Sequence, residues 1–225
     1  VRVAPDLAPA WDMGPLANWY SGIVNAIASD APLWRRAGPG HWNDPDSLVV
    51  GMDAAGYADA VDSPSLGVLI NSPPAGMDPA LSFQEMRTNV AMWAMMAAPL
   101  MVGGDVPYLP SSERGVLLNR WLIGIDQDPL GHQGHPVRSD GEVWVKQMSN
   151  GTVAVALLNE SSVATTITTT AHQLGVPPAS KYSVRDAWTG IESTTSKLSK
   201  LLRATVPARS VAVFLVTPVL QHHHG

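Results

Sequence analysis

The chain has 225 residues, of which 45% are hydrophobic and 15% charged, with a formal net charge of −5 and no cysteine. That apolar share supports a sizeable core and argues against disorder, and the length suits one large domain or two modest ones. There is no basic stripe for a nucleic acid, no apolar run near the ~20 residues that a helical membrane span needs, and no thiol for disulfides or metal–thiolate chemistry.

The opening Val1-Arg2-Val3-Ala4-Pro5-Asp6 carries neither Met nor a signal peptide. It reads as the interior of a domain and leaves the compartment open. Leu16, Trp19, Tyr20, Ile23 and Ile27 fall at helical spacing, which predicts a helix over residues 16–28. Ser47-Leu48-Val49-Val50 is a short strand-like run. Residues 51–81, rich in Gly, Pro, Asp and Ser, read as a long excursion. Ser82-Phe83-Gln84-Glu85 is a capping box, in which hydroxyl and carboxylate satisfy reciprocal backbone donors. The helix it opens continues through Met86, Val90, Trp93 and Ala97 until Pro99 stops it. Leu100-Met101-Val102 is then a candidate buried strand, and a further helix is expected over residues 112–121. Alternation of helix and strand predicts a parallel α/β arrangement over residues 1–131.

After residue 131 the texture shifts to alternating Thr, Val and Ser. Residues 142–148 and 152–159 flank Asn150-Gly151, a hairpin turn signal. Further strands are expected over 165–170, 182–188, 198–206 and 210–217. Short strands at this spacing predict an antiparallel sandwich over residues 132–218. Residues 219–225 form a tail whose His222-His223-His224 reads as a tag remnant. His132 and His135 lie in a Gly-rich turn, and no metal is expected there. Asn150-Gly151-Thr152 and Asn159-Glu160-Ser161 fit the N-glycosylation pattern.

Two segments carry candidate chemistry. In Asn43-Asp44-Pro45-Asp46-Ser47 two carboxylates flank a proline ahead of a strand, which is either an Asx-turn or a rigid presentation of side chains at a strand end. In Arg2-x-x-x-Asp6, followed by Trp11, the pair is either a surface ion pair or a sugar-binding guanidinium beside a catalytic acid.

Gly38-Pro39-Gly40-His41-Trp42-Asn43-Asp44-Pro45-Asp46-Ser47-Leu48 resembles the family-27 glycoside hydrolases, the α-galactosidases and α-N-acetylgalactosaminidases. So do the run from Met92 to Leu100 with Gly104-Asp105, the block from Ile125 to Gly131, Asp186-Ala187-Trp188-Thr189-Gly190 and Val206-Pro207-Ala208-Arg209-Ser210, in that order. The resemblance implies the last strands and helices of a (β/α)₈ barrel followed by an all-β antiparallel sandwich. It implies that Asp6 is the general acid/base of a retaining, double-displacement glycosidase. Arg2, Asp44, Asp46 and Ser47 would bind substrate, with Ser47 standing where the family usually carries a bulkier apolar residue. The nucleophile motif of the family is absent and is expected in a missing N-terminal half of the barrel, so the chain alone is expected to be inactive.

The implied substrate is an α-galactoside or related oligosaccharide, with no cofactor and no metal. N-Acetylgalactosamine and β-L-arabinopyranose are the alternative sugars within the family. A non-catalytic carbohydrate-binding protein is the alternative of another class.

Overall fold

The computed structural model describes residues 1–52, 57, 81–196 and 201–219. Three extended segments of the first half lie side by side and run in the same direction. Arg2 bridges Asp44 in parallel, with the Val3 N–H donating to the Asp44 carbonyl at 2.9 Å and the Asp44 N–H to the Val1 carbonyl at 2.8 Å. Leu48 bridges Val102 in the same sense, donating to the Met101 carbonyl at 2.7 Å and accepting from the Gly103 N–H at 2.9 Å. Strand β1 (Asp6–Leu7) extends the first segment and pairs in parallel with β2 (Tyr20–Ser21). The parallel order read from the sequence is therefore present, but as short bridges, so barrel character is partial. Met101 and Val102, expected to be buried, are exposed, and among the described residues their segment is covered along the Leu48 edge alone.

The helix predicted over residues 16–28 is a correction. A 3-10 turn (Gly14–Leu16) and β2 fill its first half, and helix α1 (Ile23–Asp30) begins only after Gly22. The Gly22 backbone is extended, and a Cβ there would lie 2.6 Å from the Trp11 carbonyl oxygen. Close strand–strand approach overrides the helical spacing of Trp19 and Tyr20.

Helix α2 (Phe83–Met96) follows its predicted capping box: the Glu85 N–H donates to Ser82 Oγ at 3.3 Å, and the Ser82 N–H to Glu85 Oε2 at 2.6 Å. Ala97 ends it in the left-handed conformation, φ 52°. The single helix expected over residues 112–121 is two, α3 (Ser111–Leu117) and α4 (Arg120–Asp126). Asn119 divides them, since its side chain accepts from the N–H groups of Trp121 and Leu122 and so caps α4.

The second half is an antiparallel sheet of order β3-β4-β5-β10-β7-β8, opposed by the pair β6-β9. Its strands are β3 (His135–Pro136), β4 (Val143–Gln147), β5 (Val153–Asn159), β6 (Thr165–Thr169), β7 (Tyr182–Asp186), β8 (Glu192–Thr195), β9 (Leu202–Val206) and β10 (Ser210–Pro218). Gly151 turns the predicted hairpin with φ 78°. One face of the large sheet, including Val143, Val145, Val155, Leu157 and Val216, packs on Ile167, Leu202 and Val206 of the small sheet. Its other face, including Trp144, Ala154, Ala156, Val211 and Val213, joins the core built around α2. Covered on both sides, β5 is buried along its whole length.

Helix α2 is also tied to the sheet by polar contacts. At its start Glu85 accepts from Arg209 at 3.2 Å, Gln84 Oε1 accepts from Ser210 at 3.3 Å, and the Arg87 guanidinium lies 3.9 Å over the Trp188 ring. At its end the buried Lys146 donates from Nζ to the Ala94 carbonyl at 3.0 Å, where the helix dipole favours a cation. Burial pulls the Lys146 ammonium down to about 8, against the nearby carboxylates of Asp126 and Asp128.

The two glycosylation patterns separate. Asn159 is buried, and its amide donates to the carbonyls of Val163, Val206 and Pro207 at 2.8, 3.0 and 2.9 Å, so it is closed to modification, whereas Asn150 is exposed at the hairpin tip. His135 stacks on Trp34 at 3.9 Å, and burial, then Arg35, lower its pKa. Most of the expected 51–81 excursion and His222-His223-His224 lie outside the described residues.

Asp30, at the end of α1, is fully buried, and neither carboxyl oxygen has a hydrogen-bond partner. Burial pushes its pKa up to about 6. The Gln133 and Asn43 side chains ease that rise, but they hold each other at 2.9 Å and reach the Leu33 and Asp30 carbonyls instead of the carboxyl. A raised folded pKa means that stability present below the ordinary value of 3.8 is lost as pH rises through about 6. The loss is on the order of 3 kcal/mol at most. Asp30→Asn is therefore expected to raise the melting temperature at pH 7.5, with the gain disappearing below about pH 4. Equal melting-temperature differences at both pH values would contradict this account.

Candidate active site

Asp46 lies just past the parallel Arg2–Asp44 bridge, on its C-terminal side. Its backbone is left-handed at φ 83°, a costly conformation for a residue with a side chain, and one that persists only where surrounding contacts enforce it. Those contacts are present. The Asp46 N–H donates to Asp44 Oδ1 at 2.9 Å, closing an Asx-turn, and its carbonyl accepts from the Trp93 indole of α2 at 2.6 Å. One turn earlier on α2, Asn89 Oδ1 accepts from the Val49 N–H at 2.9 Å. Two side chains of one buried helix thus set the backbone of the segment that carries the two acids.

The Asp46 carboxylate is mostly buried, with 17% of its side chain exposed, and each oxygen is held. Oδ2 accepts from the Leu7 N–H at 2.7 Å and pairs with Arg2 Nη2 at 2.6 Å, while Oδ1 accepts from Ser47 Oγ at 3.1 Å. The same Arg2 nitrogen lies 3.0 Å from Asp6 Oδ1. Arg2 is itself anchored by its Nε donating to the Ala4 carbonyl at 3.0 Å. One guanidinium therefore joins two carboxylates brought together from 40 residues apart in the chain.

Asp6 differs from Asp46 in exposure, with 73% of its side chain open to solvent. Its neighbour across the parallel pair is Tyr20. Tyr20 and Tyr57 pack on a small cluster of Ala8, Ala10 and Met13. Burial, then the Asp6 and Asp46 carboxylates, raise the Tyr57 phenol above its usual range.

Of the five residues singled out from the sequence, Arg2, Asp6, Asp46 and Ser47 form one hydrogen-bonded group. Asp44 reaches it through the Asp46 backbone. The sequence reading missed the Leu7 N–H, Trp93 and Asn89. A polar Asn89 within the apolar stripe of α2, four residues before Trp93, was the available signal.

The arrangement offers a fixed anionic acceptor beside a cation and a second, solvent-accessible carboxylate. Such a set can bind neighbouring sugar hydroxyls and exchange a proton.

A profile described as "Alpha galactosidase C-terminal beta sandwich domain" matches residues 138–216, and one described as "Alpha galactosidase A" matches residues 75–128. Alpha-galactosidase 3 of Arabidopsis thaliana is 31% identical over 83% of this chain and 38% of its own length. Alpha-N-acetylgalactosaminidase of Gallus gallus is 30% identical over 82% of this chain and 39% of its own length. The crystal structure of a putative alpha-galactosidase/melibiase from Bacteroides fragilis is 31% identical, with a TM-score of 0.72 over 92% of this chain and 40% of that one. The chain spans about two fifths of the length of the curated relatives it matches.

Proposed function

Because the chain belongs to the α-galactosidase-like glycoside hydrolases of family 27, as a C-terminal portion, we propose that it supplies the general acid/base and sugar-holding residues of a retaining α-galactosidase. The observation that carries this reading is the Arg2 clamp between Asp6 and Asp46 at the ends of parallel segments. Barrel enzymes gather their catalytic groups at that end.

In the first step a carboxylate from the part of the protein outside this chain attacks the anomeric carbon. The glycosidic C–O bond breaks, and Asp6 gives its proton to the departing oxygen. In the second step water attacks the glycosyl–enzyme bond, Asp6 takes the proton of that water, and the sugar leaves with its configuration retained. Asp46, fixed by Leu7, Ser47 and Arg2, accepts hydroxyl hydrogens of the bound sugar. Arg2 keeps the two acids in register, and Asp44 shapes the turn.

Galactose is the sugar this reading favours, with N-acetylgalactosamine and β-L-arabinopyranose as alternatives within the same chemistry. The test is a panel of nitrophenyl glycosides of the three sugars, offered to the full-length protein and to the 225-residue chain. The full-length protein is expected to release nitrophenol from the α-galactoside, and the chain alone from none. Turnover by the chain alone would overturn the division of roles. Sugar binding by the full-length protein without hydrolysis of any substrate would favour a non-catalytic binding protein instead.

A further inference from the structure

Two side chains of α2 hold the backbone around Asp46. A further support comes from residues 131–134, the segment that joins the two halves of the chain.

That segment is itself fixed. Gly131 has φ 58° and lies against the Trp42 ring, where a Cβ would come within 2.5 Å of the indole. Three residues on, the Gly134 N–H donates to the Met95 carbonyl at 2.7 Å, and a Cβ there would lie 2.7 Å from the same oxygen. Glycine at both places lets the backbone approach closely. The segment is thus held against Trp42 at one end and against α2 at the other, and Gln133 stands between these contacts.

Gln133 is 3% exposed and Asn43 5%. Gln133 Oε1 accepts from Asn43 Nδ2 at 2.9 Å, and its own Nε2 donates to the Asp30 carbonyl at 3.4 Å. The same Asn43 nitrogen donates to the Leu33 carbonyl at 3.2 Å. Both amide hydrogens of Asn43 are therefore directed, and a buried donor that loses its partner is costly. Asn43 precedes Asp44, whose N–H and carbonyl make the parallel bridge to the Arg2 segment and whose carboxylate accepts from the Asp46 N–H. Asp46 in turn keeps its left-handed backbone through the contacts around it. A shift at Asn43 is passed on to Asp46 through that short stretch of chain. The Gln133–Asn43 contact is buried within these residues themselves, so further protein laid over the surface leaves it in place.

Resting on the reading of Asp46 as a sugar-holding residue, we propose that Gln133 is a positioning residue for the reaction. Through Asn43 it fixes the turn that bears Asp44 and Asp46, and so the affinity for the sugar.

The experiment measures kcat and KM for nitrophenyl α-galactoside in the full-length protein, its Gln133→Met and Asp46→Asn variants and the double variant. Methionine fills much the same space without the acceptor. Gln133→Met is expected to raise KM about fivefold, the worth of one net hydrogen bond, with kcat within about twofold of the parent. In the Asp46→Asn background the same change is expected to raise KM by less than about twofold, because both substitutions act on one contact. Equal fold-rises in the two backgrounds, an unchanged KM, or a defect confined to kcat and melting temperature would each overturn the proposal.

Gln133→Glu keeps an acceptor for Asn43 and serves as the rescue. At about pH 5, with burial beside Asp30 keeping the added carboxyl neutral, its KM is expected to stay within about twofold of the parent's. A Glu variant as impaired as the Met variant would mean that packing is at stake rather than the hydrogen bond, and would overturn the proposal too. A crystal structure of full-length Gln133→Met reads the geometry without turnover. The Asp46 carboxylate is expected to draw away from Arg2, and an unmoved turn would sink the inference. A displaced turn in a protein that hydrolyses no galactoside would keep Gln133 as the brace and overturn the sugar-holding reading alone.

Discussion

Asp6→Asn in the full-length protein is expected to cut turnover of a disaccharide substrate by about 10²–10⁴-fold, the range of a lost general acid. The loss depends on the leaving group. A fluoride or dinitrophenolate departs without a proton, so its release from the sugar in the first step is expected to be nearly spared, whereas a sugar alkoxide needs the proton and is not. The second step then becomes slow for every substrate, because nothing deprotonates the water. A burst of released phenolate followed by a slow steady state is the expected trace. The fold is expected to survive, since the side chain is 73% exposed and its contact with the rest of the site is the Arg2 pair. Equal rates for variant and parent on the disaccharide would remove Asp6 from the chemistry.

Asp46→Asn tests the other half of the clamp. Asparagine tolerates the left-handed backbone that position 46 requires, at φ 83°, and it keeps an oxygen for the Leu7 N–H or the Ser47 hydroxyl. What it removes is the charge that meets Arg2 at 2.6 Å and strengthens any hydrogen bond from a sugar hydroxyl. Losing charge-assisted hydrogen bonding of this kind costs roughly 2–3 kcal/mol, a rise in KM of about 30–150-fold. kcat is expected to change far less, because the interaction is already made in the bound substrate. A kcat defect with KM unchanged would mean that Asp46 acts on the reaction itself. Asp46→Ala is expected to be worse on every measure, adding backbone strain and an unsatisfied Leu7 N–H to the lost charge.

How much of this was legible in the sequence varied with the range of the interaction. The capping box at Ser82 and the Asn150-Gly151 turn involve neighbours in the chain, and both are where local chemistry puts them. β5 is a continuous apolar run from Val153 to Leu158, which fits a strand covered on both faces, but nothing in the run names α2 as the cover of one of them. Residues 16–28 misled because two aromatic residues that serve a loop and a strand happen to fit a helical period. Asn119, between Leu118 and Arg120, could have been read as a cap within the 112–121 run. For the site, Arg2, Asp6, Asp46 and Ser47 were reached through resemblance, whereas spacing alone favoured an ordinary ion pair and an ordinary turn. The hydrogen bond from Trp93 to a main-chain carbonyl 47 residues away leaves no pattern in the sequence, because any residue at 46 has that carbonyl.

Helix α2 is gripped at its start by Arg209 and at its finish by Lys146, and between those points Asn89 and Trp93 hold the turn that bears Asp46. The sheet-rich half is accordingly the jig in which the working edge of the protein is set. Excising it to obtain a smaller catalyst would bare an apolar flank of that helix and leave Glu85 without its arginine. The first casualty would be alignment at residue 46, which lies 100 positions before Lys146 and 163 before Arg209 in sequence.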